Sequence, residues 1–70
     1  MNSKILKNIG KKIREIRKNK ELSQEKLGEL CYLSRNFIGA IERGEVNAPI
    51  LTLRKIANAL EAELNEFLQS

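Results

Sequence analysis

Apolar residues along this chain recur at steps of three and four and never alternate every second residue, so the pattern predicts helices and no strand. Ile5, Leu6, Ile9, Ile13 and Ile16 make one stripe, the mark of an amphipathic first helix. Ser3 or Asn2 can cap its start, and the polar stretch at Asn19 and Lys20 ends it. Ser23 is an N-cap for a second helix, because its hydroxyl can accept an orphan backbone N–H, and Glu25 puts negative charge in the first turn. Lys26 stands where a capping box would place Glu or Gln, so the reciprocal half is missing. Leu27, Leu30 and Cys31 are its predicted inward face. Tyr32 and Leu33 leave only a very short turn before Ser34, the N-cap of a third helix through Glu42. Ile38 and Ile41 form the inward pair of that helix, with Phe37 off the stripe, and Gly44 follows Arg43 as a left-handed terminator should. Residues 45–49 read as a loop. Pro49 suits the first turn of a fourth helix carrying Leu53, Ile56, Ala57 and Leu60. Leu64, Phe67 and Leu68 fall on a last short helix. The expected fold is all-α, a bundle of five helices in one domain spanning residues 1–70.

Composition narrows the chemistry. There is no histidine and no aspartate, and the one cysteine, Cys31, cannot form an intrachain disulfide. Zinc sites built from His and Cys are excluded, as is histidine-based catalysis. No glycine-rich phosphate loop is present, and seventy residues leave no room for a large pocket, so no enzyme, metal, cofactor or small-molecule ligand is expected. A single thiol fits a reducing cytosol, and no apolar run approaches the length that spans a bilayer. The expectation is a cytoplasmic protein without membrane contact. The net charge is +4, and residues 1–20 hold eight Lys/Arg against one acid, Glu15. Residues 56–70 hold Glu61, Glu63 and Glu66 and no basic residue. That polarity suits a domain turning one face to a polyanion; an ordinary solvated lysine-rich surface, Lys11, Lys12 and Lys18 included, is the alternative.

The caps Ser23 and Ser34 lie eleven residues apart across a short turn, which is the helix-turn-helix spacing. Gly28 in the first helix of the pair is placed where the two helices need a small residue. Leu22-Ser23-Gln24-Glu25-Lys26-Leu27, then Leu33-Ser34-Arg35, Ile38, Ile41-Glu42-Arg43-Gly44 and Leu53 to Leu60 form an ordered set. That set resembles the phage-repressor (Cro-like, XRE) helix-turn-helix family over roughly residues 8–68. Glu42-Arg43-Gly44 followed by Asn47 is similar to the controller proteins of restriction-modification systems.

The resemblance implies the lambda-repressor-like fold and a homodimer on double-stranded DNA, regulating transcription from a pseudo-palindromic operator. The helix-turn-helix would span about residues 23–43, with a dimerisation helix at about 63–69. It also implies roles. Gln24 would touch a phosphate and brace the recognition helix, or merely cap its own. Ser34, Arg35 and Asn36 would begin that helix at the groove. There Arg can bond guanine and Asn adenine bidentately, or Asn36 can simply solvate the helix end. Gly39 and Ala40 would approach the groove, and Arg43 and Asn47 would hold phosphates just beyond the helix, unless Asn47 is only a turn residue. Arg17 and Glu42 would pair internally, leaving Glu42 structural. Val46, Pro49 and Glu63 depart from the pattern, removing a phosphate-binding arginine and two helix caps. Leu64, Phe67 and Leu68 would make a two-fold interface, or else only close the core. Two other functions compete: an antitoxin that also binds its promoter, and a protein-interaction module without DNA.

Overall fold

The computed structural model describes residues 3–69. Among these residues there are four α-helices and no strand: α1 (Ser3–Asn19), α2 (Gln24–Cys31), α3 (Arg35–Glu42) and α4 (Ile50–Leu60), followed by a 3-10 turn at Leu64–Leu68. The fifth helix expected from the sequence is therefore this 3-10 turn. It is five residues long, too short to sustain an α-helical ladder, and closes through a Glu66 N–H to Glu63 carbonyl bond at 3.0 Å. Glu66 reaches back to the Glu63 N–H at 2.9 Å, so Glu63 opens the turn without a hydroxyl cap. Asn2, one of the two candidate caps of α1, lies outside the described residues.

The two serine caps form as their chemistry dictates. The Ser23 hydroxyl accepts from the Lys26 N–H at 2.9 Å, and the Ser34 hydroxyl from the Phe37 N–H at 3.0 Å. Pro49 precedes α4 with no side-chain cap. All four helices end with a left-handed residue; after α1, α3 and α4 a pair of reverse bonds satisfies the last carbonyls, while after α2 the Tyr32 and Leu33 N–H groups both bond the Gly28 carbonyl. After α3 the residue is Gly44 at φ 74°, with Gly44 N–H bonded to Ile41 O and Glu45 N–H to Ala40 O, both at 3.0 Å. After α1, α2 and α4 the left-handed residues are Glu21, Tyr32 and Glu61, none of them glycine.

α1 packs across α3 and the 3-10 turn, while α2 packs on α3 and α4. Ile13, Leu27, Ile38, Ile56 and Phe67 meet with no solvent exposure, and Leu60, Cys31, Ile41, Leu53 and Ala57 complete the core. One expectation is corrected here. Leu30 faces solvent, because Leu27 and Cys31 already fill the inward positions of a two-turn helix. Phe67 closes the core of the single chain, fully buried between α1 and α4. Leu64 is half-buried against the same core and Leu68 is exposed. Phe37 packs at the core's edge.

Glycine allows the closest backbone approach. A methyl on Gly10 would lie 2.3 Å from Ile41 O and 2.5 Å from Glu42 O, so the backbone of α1 rests directly on the carbonyl end of α3. Gly28 meets the Leu33 carbonyl of the turn in the same way, at 2.3 Å. The small residue there makes room for the turn rather than for the helix after it.

Candidate nucleic-acid interface

α3 is held from behind by a charged cluster. Arg17, from α1, donates through Nε to Glu42 Oε2 at 2.6 Å and through Nη2 to Glu42 Oε1 at 3.0 Å. Its Nη1 donates to the Leu22 carbonyl at 2.8 Å, and Gln24 Nε2 donates to Glu42 Oε1 at 2.9 Å. Both members of the ion pair are almost wholly buried, with side chains 8% and 2% exposed. Burying two charges is costly unless their hydrogen-bonding capacity is met, and here four bonds from three elements meet it. The cluster ties α1, the start of α2 and the end of α3 together. Glu42 accepts from two side chains and faces away from solvent, which is a structural role. Gln24 braces α3 through the same carboxylate.

The opposite side of α3 is open. Ser34, Arg35 and Asn36 are exposed at the first turn, Ala40 is half-buried one turn on, and Arg43 and Asn47 are exposed at and beyond the helix end. Gly39 is buried beneath side chains, with Arg43 Nη1 and Gln24 Oε1 lying 3.0 and 3.5 Å from where a methyl would stand. The structure thus gathers Gln24, Ser34, Arg35, Asn36, Gly39, Ala40 and Arg43 on or beside one short helix. The helix N-terminus, capped by a neutral serine, adds a positive dipole end to Arg35. Arg43 also forms an exposed fork with Glu45, from Nε to Oε2 at 2.9 Å and from Nη2 to Oε1 at 3.2 Å. The pairing holds the Glu45 carboxyl below its usual range and raises the Arg43 guanidinium.

The sequence reading missed two features. One is Gly10, whose contact lies with residues more than thirty positions away. The other is a stripe on α1: Lys4, Lys7, Lys11, Arg14 and Lys18 recur at steps of three and four and all are exposed. Among the described residues none of the five is paired with a carboxylate. The same period that revealed the apolar stripe could have revealed this one. Lys7 lies against Gly44, which joins the stripe to the end of α3.

Among the described residues no helix is long and apolar enough to cross a membrane. The sequence model of the helix-turn-helix family (HTH_3) matches residues 13–67. The control protein C.BamHI of Bacillus amyloliquefaciens is 41% identical over 61 residues, 86% of this chain and 75% of that protein. The immunity repressor protein of Bacillus phage phi105 is 37% identical over 57 residues, 81% of this chain, which spans only 40% of the repressor's length. Among solved structures, the restriction-modification controller protein C.AhdI from Aeromonas hydrophila superposes with a TM-score of 0.89 at 38% identity. That superposition covers 93% of this chain and 94% of C.AhdI. With two serine-capped helices, an open α3 and a match across most of its length, the chain belongs to the helix-turn-helix family of DNA-binding transcriptional regulators.

Proposed function

We propose that this protein is a cytoplasmic, sequence-specific regulator of transcription that binds a pseudo-palindromic operator as a homodimer and controls a restriction-modification operon. The observation that carries the DNA reading is α3 itself. Its back is clamped by Arg17, Glu42 and Gln24, while Ser34, Arg35 and Asn36 stand exposed at its N-terminal turn. A recognition helix must be rigid and must lead with groups that match base edges; a bidentate arginine and an asparagine do so. Asn47 holds a phosphate beyond the helix, the free amide hydrogen of Gln24 another, and Ala40 meets a thymine methyl. The basic stripe of α1 strengthens long-range attraction to the duplex. The restriction-modification context rests on the likeness to C.BamHI and C.AhdI.

A groove between α1 and the 3-10 turn supports the dimer. Ile5, Asn8, Ile9, Phe67 and Leu68 line it, so its surface is mixed apolar and polar, and Ile5 and Leu68 are each more than half exposed. A two-fold contact there covers that surface and sets two copies of α3 in successive major grooves about 34–36 Å apart. The test is selection from a random duplex pool, followed by titration of wild type and Arg35→Ala on the recovered site. The expected result is a two-fold symmetric consensus, with discrimination at one base pair reduced by about 1–3 kcal/mol in the variant. Weak binding that is purely salt-driven, with no consensus, refutes the reading.

A further inference from the structure

Arg43 was expected to hold a phosphate; its exposed side chain lies back over the preceding turn of α3. The guanidinium lies one turn back along α3, with Nη1 3.0 Å from the position of a Gly39 methyl. Long helical side chains favour this direction, over the turn that precedes them. The fork is then held from one side. Glu45 takes the Nε hydrogen at 2.9 Å and one Nη2 hydrogen at 3.2 Å. Glu45 is itself placed by backbone geometry, since the left-handed Gly44 returns the chain so that the Glu45 N–H bonds the Ala40 carbonyl at 3.0 Å. A guanidinium has five hydrogens in a rigid plane. With two on Glu45, the end-on edge, one hydrogen each on Nη1 and Nη2, is left for another partner. That edge belongs to a group lying on the same open helix face as Arg35, Asn36 and Ala40.

We propose that Arg43 uses this end-on edge to read a guanine in the major groove, donating to O6 and N7, and that Glu45 is the positioning residue that aims it. The proposal rests on the DNA-regulator reading and replaces the phosphate role for Arg43. Guanine needs a coplanar, two-point fork, which a carboxylate on the adjacent edge supplies. A phosphate accepts from many rotamers, and a phosphate-binding Arg43 would have Glu45 as a competitor for its hydrogens. Gly39 completes the arrangement: without a side chain there, the guanidinium lies down on the helix instead of being lifted off it.

The experiment uses the operator selected by the wild type and a set of duplexes with each base pair replaced in turn. Arg43→Ala, Glu45→Gln, Gly39→Ala and Arg35→Ala are compared by competition anisotropy, with thermal melting as the folding control. Arg43→Ala and Glu45→Gln are expected to lose preference at one and the same G·C pair, by about 5- to 150-fold. Preference at the pair read by Arg35 is expected to persist. Gly39→Ala is expected to melt no lower than wild type, because it gains helix propensity, yet to lose preference at that same G·C pair. The proposal is overturned if Glu45→Gln binds every duplex more tightly while Arg43→Ala only reduces the salt slope by about one, which makes Arg43 a phosphate ligand. A wild type that selects no operator overturns the regulator reading first, and this proposal with it.

Discussion

Gly10→Ala should destabilise this protein although helix propensity alone predicts the opposite. Alanine in place of glycine within a helix contributes about 1 kcal/mol. The new methyl, however, would lie 2.3 Å from Ile41 O, 2.5 Å from Glu42 O and 2.7 Å from the Glu42 carbonyl carbon. All three are backbone atoms at the closed end of α3, so no rotamer change relieves the contact. Relief requires α1 to retreat by about 1 Å, the shortfall from ordinary van der Waals contact at 3.4 Å. Overpacking of this kind costs about 1–3 kcal/mol. The same retreat stretches the Arg17–Glu42 fork, now 2.6 and 3.0 Å, out of hydrogen-bond range. Weakening a buried charged hydrogen bond costs about 1–3 kcal/mol more. Less the propensity gain, the net loss is about 1–5 kcal/mol, or about 4–40 °C in melting temperature for a domain of this size. Thermal and urea unfolding followed by circular dichroism measure it. Gly39→Ala is the internal comparison, because only the ends of flexible side chains approach its methyl. A Gly10→Ala protein as stable as wild type refutes the argument that α1 rests on α3 through its backbone.

Glu42→Ala should cost about 3–5 kcal/mol in urea unfolding, since it leaves the Arg17 guanidinium buried without its carboxylate. Adding Arg17→Met should recover only part of that, because Gln24 and the Leu22 carbonyl stay without partners. Phe67→Ala should cost about 3–5 kcal/mol as a cavity in the chain's own core. Leu68→Glu should leave the melt of the monomer almost unchanged while lowering the sedimentation coefficient to that of a monomer; an unchanged dimer argues against the groove at Ile5 and Leu68 as the two-fold contact. Burial pushes the Cys31 thiol up, so the unfolded chain gives up that proton first as pH rises. Stability should fall with pH from the ordinary thiol range upward, and this slope should be missing in Cys31→Ala.

The helices, their order and the open face of α3 were legible in the sequence because they depend on local rules. The apolar period sets which stripe turns inward, and Ser23 and Ser34 cap as isolated residues because a hydroxyl needs only its own next turn. Arg35 and Asn36 are exposed because they follow such a cap and fall off the stripe of Ile38 and Ile41. What the sequence could not determine depends on how the elements meet. Leu30 and Phe67 are both apolar at helical spacing, yet one faces water and the other is sealed, because only packing decides which of several apolar residues a small core has room for. Five residues with a helical pattern became a 3-10 turn because they are too few to sustain an α-helix. Three helices end on Glu21, Tyr32 and Glu61 in the left-handed region, where local preference favours glycine, because tertiary packing outweighs a cost of about 1–2 kcal/mol at each. Gly10 carries no local signal, for its reason lies at Ile41 and Glu42, across the core. The Arg43–Glu45 fork spans only two positions, yet it needed the reversal at Gly44 to turn the carboxylate back toward the helix. Local chemistry determined the pieces and the open face of α3; tertiary contact decided what is buried, what is braced and where each charged group is aimed.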